Sequence, residues 1–278
     1  MPTAIVTDST ADIPLEIAQE LNIHIVPNIL ILDGKEYADG IDISRHEFYE
    51  RLPYLQIPPT TATASSGTYN RLFEELIRLG FNQIISIHVS KRFSGVFNAV
   101  SVAAQPFGGR IHVIDSQQVT LGLGFQVCDA AEAAQSDAPL EVILNRIKGV
   151  RSRVRVFAML DTLEFLHRSG RVSWARARIG NLLRVKPFIE VKDGQAKRIA
   201  DVRTRRKGFE RLLSLLKNLG PLEKLALLHS NAENEAEKLL EAYNTKLPSN
   251  PFIINVTTTI GTHVGPNGLG FAAVVKTL

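Results

Sequence analysis

An alternation in the first half of the chain constrains its fold most: short runs rich in Ile and Val, separated by longer amphipathic stretches. The runs at residues 4–7, 25–32, 84–89 and 111–114 are apolar through most of their length. That is the pattern of strands covered on both faces, not of a half-exposed sheet. Between them, a stretch starting near Ser66 sets Tyr69, Leu72, Phe73, Leu76 and Ile77 at helical spacing and stops at Gly80. Residues 95–104 and 125–135 carry two further helical patterns. Parallel strands need crossovers of this kind, so the alternation predicts an α/β fold with a mostly parallel sheet and helices on both faces.

The second half has a different texture. Strand patterns at residues 154–159, 188–191, 225–228, 252–256 and 269–275 are separated in part by helical patterns at 205–219 and 233–247. Phe209, Leu212, Leu213 and Leu216 form one apolar face. Lys192-Asp193-Gly194 is a hairpin signal, which predicts a mixed sheet here. At 278 residues the chain exceeds one ordinary domain. The expected division is 1–155 and 156–278, although no Pro/Gly-rich linker marks it.

Composition excludes several classes. With 45% hydrophobic and 22% charged residues the chain has enough apolar mass to fold. The single cysteine, Cys128, permits no internal disulfide and fits a reducing compartment. No basic, apolar leader opens the sequence, and no apolar run is long enough to span a bilayer. The expectation is a cytoplasmic protein without stable membrane insertion. Basic residues gather at Lys148, Arg151, Arg153 and Arg155 and again at Arg198, Arg203, Arg205, Arg206 and Lys207. No aromatics interleave them, so nucleic acid is not the expected partner. Each cluster fits either a solvated surface or a docking face.

Three strand ends in the first half deliver polar residues: Asp8-Ser9-Thr10, Ser90 and Asp115-Ser116. Ligands of open parallel sheets bind beyond such ends, yet Asp and Ser there also cap helices. The segment Thr60-Thr61-Ala62-Thr63-Ala64-Ser65-Ser66-Gly67 holds five hydroxyls in eight residues just before an amphipathic helix. Ser94-Gly95 opens another helix. Both places suit an anion, because helix N-termini expose unpaired N–H groups, and both fit ordinary caps equally well. Catalytic signatures are missing: no G-x-S-x-G elbow, Walker loop or H-E-x-x-H occurs. Gly122-Leu123-Gly124 starts like a dinucleotide loop but has Val127 where a small residue is needed. His24, His46, His112 and His167 are read as structural. His263, in a Gly-rich turn before the last strand, can point at a ligand.

These blocks together resemble the DegV family of bacterial fatty-acid-binding proteins from end to end. The resemblance runs in order through Val6-Thr7-Asp8-Ser9-Thr10, Tyr37-Ala38-Asp39-Gly40, the hydroxyl loop at 61–65 and Ser90-Lys91-Arg92-Phe93-Ser94-Gly95. It continues through Val113-Ile114-Asp115-Ser116, Gly122-Leu123-Gly124, and Asp161-Thr162-Leu163-Glu164-Phe165-Leu166 with Gly170-Arg171-Val172-Ser173. Lys186-Pro187-Phe188 and Thr262-His263-Val264-Gly265-Pro266 complete it. The middle of the first loop departs from the family's usual Thr-Ser-Gln-Pro-Ser, with Thr63-Ala64 where Gln-Pro stands.

The resemblance implies a two-domain protein that is not an enzyme. Residues 1–155 would hold the acyl chain of one long-chain fatty acid, and 156–278 would close over its carboxylate. It places carboxylate contacts at Thr61, Ser94, Arg171 and His263, with Ser65 and Gly95 beside them, and calls for no metal or cofactor. It also implies presentation of the carboxylate to a fatty acid kinase; the face around Arg203, Arg205, Arg206 and Lys207 is the candidate docking surface. Two other readings remain at this level: an acyl hydrolase or transferase using Ser94 with His263, and a lipid-sensing regulator.

Overall fold

The computed structural model describes residues 2–176, 185–245 and 251–277. Its first sheet contains β1 (Thr3–Asp8), β2 (Ile23–Val26), β6 (Gln83–His88) and β7 (Ile111–Asp115), all parallel, in the order β2-β1-β6-β7. A small antiparallel sheet joins β3 (Ile29–Leu32), β4 (Lys35–Ala38) and β5 (Thr60–Ala62) in the order β4-β3-β5. The third sheet has six strands: β8 (Val154–Met159), β9 (Lys186–Lys192), β10 (Gln195–Val202), β11 (Leu222–Ser230), β12 (Phe252–Asn255) and β13 (Gly268–Val275). Their order is β10-β9-β8-β13-β11-β12, antiparallel except for the β11–β12 pair. The parallel sheet and the mixed sheet are therefore as expected.

The helices are α1 (Leu15–Glu20), α2 (Arg45–Arg51), α3 (Ser66–Arg78), α4 (Val96–Ala104), α5 (Leu121–Gln135), α6 (Leu140–Arg153), α7 (Glu164–Ser169), α8 (Ser173–Arg176), α9 (Arg205–Lys217), α10 (Glu233–Tyr243) and α11 (Thr258–Val264). The pattern at 233–247 overshoots: Asn244 closes α10 in the left-handed region, and residues 246–247 lie outside the described residues.

The run at 25–32 is not one strand. Pro27 cannot donate to a ladder, and the chain changes sheets there. Buried Asn28 fixes the break, its side-chain amide reaching Asp8 Oδ1 at 3.2 Å. Helix α5 begins four residues before the pattern did and is buried for most of its length. Gly122 and Gly124 serve this burial: a Cβ at Gly122 would meet Val156, and one at Gly124 the carbonyl of Ala11. Nothing in that helix is a nucleotide loop.

The two faces of the six-stranded sheet differ. One packs Phe157, Met159, Phe188, Leu227 and Phe271 against Leu212 and Leu216 of α9 and Leu239 of α10. On the other, Val154, Val156, Ala272 and Val274 join the same apolar cluster as α5, α6 and the parallel sheet. This largest core thus draws on residues from both sides of position 155.

Candidate functional site

Where the second face runs beyond α5 it carries small residues: Ala158 on β8, Ala196 on β10, and Gly268 and Gly270 on β13. Gly270 lies so close to Phe157 and Ala158 that a Cβ would collide with backbone. Against this face lies a cavity of about 220 Å³ with predominantly apolar walls. Leu160, Leu166, Ile189, Val191, Leu228 and Leu269 line it from one side, and Val89, Phe93 and Val119 from the carboxyl edge of the parallel sheet.

Of the polar strand-end residues only Thr10 lines this cavity, and the others act mostly as braces. Asp8 accepts from the amides of Thr10 (3.1 Å) and Val89 (3.2 Å) and from His88 Nδ1 (2.9 Å). Ser90 Oγ donates to the Gly194 carbonyl at 2.8 Å, and Asp115 accepts from the Gln117 amide at 2.9 Å. The resemblance assigned the acyl chain to residues 1–155. The cavity draws its wall from both halves, much of it from the six-stranded sheet.

The polar lining gathers most of the predicted head-group residues. Thr61 pairs in β5 opposite Leu30 of β3, and its Oγ1 lies 2.8 Å from His263 Nε2. His263 stands in the last turn of helix α11, not in a loop. Two buried carboxylates anchor the start of that helix. Asp39 accepts from the Thr258 amide (3.2 Å) and from the hydroxyls of Thr258 and Thr259 (2.8 Å each). Asp12 accepts from the Thr257 amide at 2.9 Å and from Thr120 Oγ1 at 2.6 Å, and it pairs with Arg45 at 3.4 Å. Negative charge at a helix N-terminus is favourable, and these contacts also set the position of His263. Gly261 lets α11 approach Phe48 and Tyr49 of α2, which a Cβ would obstruct.

Burial, and then the nearby Arg171 charge, lower the His263 pKa to about 4, so its imidazole is neutral at pH 7. Its Nδ1 is buried without a partner among the described residues. Arg171 follows the left-handed Gly170 that closes α7, and it is the one Lys or Arg among the described lining residues. It is exposed, and Nη1 donates to the Ser169 carbonyl at 2.8 Å; its other guanidinium donors make no hydrogen bond among the described residues.

Ser94 and Gly95 also line the cavity, with Gly95 facing Thr63. The N-cap of α4 is Gly95, one residue later than expected; Ser94 Oγ accepts from the Val96 amide at 3.4 Å. Ser65 is not part of the lining. It is exposed and caps α3, accepting from the Thr68 amide at 3.1 Å. Of the loop's departing residues, Thr63 faces the cavity and Ala64 is buried. Of the basic face, Arg205 is engaged with Glu235 at 2.7 Å and Arg206 with Glu210 at 3.0 Å.

Among the described residues no hydrogen bond joins Ser94 to His263, whose Nε2 faces Thr61. A Ser–His–Asp chain does exist elsewhere. Ser86 Oγ lies 2.6 Å from His88 Nε2, and His88 Nδ1 donates to Asp8. All three are fully buried and none lines the cavity, so no substrate reaches them. Sequence reasoning missed this network and the anchoring by Asp12 and Asp39. The signal for the first was Ser86-Ile87-His88, two polar residues on one face of an apolar strand. No group of His, Cys, Asp and Glu among the described residues could hold a metal, and no helix there is long and apolar enough to cross a membrane.

Fold and site together define an α/β protein with a predominantly apolar cavity whose wall includes Thr61, Ser94, Arg171 and His263. The chain matches the family described as uncharacterised DegV proteins over residues 2–276 and belongs to that family. A DegV domain-containing protein of Caldanaerobacter subterraneus is 35% identical over 272 residues, 96% of each chain. The solved structure of a fatty-acid-binding DegV family protein from Thermus thermophilus has a TM-score of 0.91 at 29% identity, covering 99% of this chain and 100% of that one. DegV of Bacillus subtilis, a fatty-acid-binding protein, has a TM-score of 0.87 at 32% identity with the same coverage.

Proposed function

We propose that this protein carries one long-chain fatty acid, tail in the apolar cavity and carboxylate at Thr61, Ser94, Gly95, Arg171 and His263. The observation that carries the reading is a predominantly apolar cavity with Thr61, Ser94, Arg171 and His263 together in its wall. Fatty-acid binding by the Thermus and Bacillus relatives supports it. Burying about fifteen methylenes at roughly 0.8 kcal/mol each contributes on the order of 12 kcal/mol. Association costs roughly 4–15 kcal/mol, so the tail alone does not secure binding. Two or three hydrogen bonds to the carboxylate, at about 1.5–3 kcal/mol each, make it firm.

In this reading the protein is a carrier and not an enzyme, and it needs no cofactor. Its neutral His263 and hydroxyls leave Arg171 as the counter-charge at the mouth, where a fatty acid kinase would meet the carboxylate. Native mass spectrometry of the purified protein is the test. A one-to-one adduct with the mass of a long-chain fatty acid is expected, and a kinase with ATP should convert it to the acyl-phosphate. Bare protein that takes up no added fatty acid would defeat the carrier reading; binding without phosphorylation would defeat only the kinase step.

A further inference from the structure

We propose that a second cavity binds a soluble di- or triphosphate. This cleft, about 380 Å³, lies between the end of α6, residues 117–118 and the end of β9, and shares Val191 as a wall with the first cavity. Four cations line it: Lys148 and Arg151 from α6, Arg155 from β8 and Lys192 from β9. Against them stand Glu190 and Asp193, so four positive and two negative side chains leave a net charge of +2. Asp193 is itself paired with Lys197 at 2.8 Å.

The ion pairs of α6 show that this charge is not merely decorated surface. Arg146 pairs with Asp129 and Glu132, and Arg153 with Glu223. None of the four cleft cations has an ion-pair partner among the described residues. Arg151 donates to the Asp115 carbonyl at 3.0 Å, and Arg155 to the carbonyls of Ser152 (3.0 Å) and Val154 (2.9 Å). These neutral acceptors orient the guanidinium groups without cancelling their charge, and each guanidinium keeps further donors. The negative end of the α6 dipole accounts for cations on that helix, but not for Lys192 converging from another element. Phosphate oxygens match guanidinium forks, and an oligophosphate presents charge to several cations at once, which a lone carboxylate does not.

The test is isothermal titration of the full chain with pyrophosphate and with triphosphate at low salt. One-to-one binding is expected, weakened by added salt. It should fall at least tenfold in Lys148→Gln/Lys192→Gln, whose altered side chains make no hydrogen bond among the described residues, and stay unchanged in Arg206→Gln. Thermal unfolding of each variant checks the fold. Absence of binding by both phosphates would overturn the proposal, as would undiminished binding in the double variant. Capture by phosphatidylglycerol vesicles without binding of either free phosphate would overturn it too, in favour of a lipid headgroup.

Discussion

His88 and His263 each sit within hydrogen-bond distance of a hydroxyl, Ser86 at 2.6 Å and Thr61 at 2.8 Å. Their second nitrogens differ. His88 Nδ1 meets Asp8, a carboxylate that also takes two backbone amides, and the network closes with every member buried. Burial alone would raise the Asp8 pKa, but the hydrogen bonds from His88, Thr10 and Val89 and the His88 charge outweigh it, and the pKa is lowered. Among the described residues His263 Nδ1 has no such partner, and Ser94 and Arg171 share its cavity wall. A polar network with all its valences filled braces a fold, whereas a buried polar atom without a protein partner beside a cavity costs stability.

The sharpest way to break this contrast is to remove the brace. Asp8→Ala leaves His88, Thr10 and Val89 without their acceptor and should cost about 3–5 kcal/mol, read from urea unfolding. A loss under about 1 kcal/mol would mean that the network is not the support described here.

Acid should weaken the His263 region next. A folded-state pKa of about 4 against 6.5 favours the neutral ring, so this contribution is complete above pH 6.5 and is lost as pH falls towards 4. The 2.5-unit difference corresponds to about 3 kcal/mol. Asp12 works in the opposite sense: burial foremost raises its pKa to about 6 from 3.8, so its contribution is present below pH 3.8 and lost as pH rises through 6. The two slopes offset each other, and only the difference between wild type and His263→Gln isolates the histidine. That difference should move against wild type by about 3 kcal/mol between pH 7 and pH 4 in ligand-free protein. A difference independent of pH would refute the desolvated ring.

The two serines give the finer test. Ser94→Ala should weaken fatty-acid binding by about 1.5–3 kcal/mol, roughly ten- to a hundredfold in Kd, while changing stability little. Ser65→Ala should do the reverse: about 1 kcal/mol of stability lost with the α3 cap, and unchanged affinity. Titration with a fluorescent fatty acid beside urea unfolding measures both, and equal affinity losses would return Ser65 to the site.

What the sequence determined by itself is local. Runs of Ile and Val made β1, β6, β7 and β8 legible nearly to the residue, and the helical spacing from Ser66 gave the start of α3. Asp193 and Gly194 take φ of 54° and 74°, as the hairpin signal required. The ordered motif blocks named the family and four lining residues, since motifs keep their spacing whatever surrounds them.

The tertiary structure decided what depends on distant parts of the chain meeting. Thr61 and His263 are 202 positions apart, and Asp39 and Thr258 are 219 apart. Helix α11 is a seven-residue segment ending in Gly-Thr-His-Val, which looks like a loop in sequence. So short a helix is marginal alone, and here it is held by Asp12, Asp39 and the packing on α2. The cavity was invisible for a related reason: its walls come from segments as far apart as Val89, Leu160 and Leu269, and space becomes a pocket only where packed neighbours surround it.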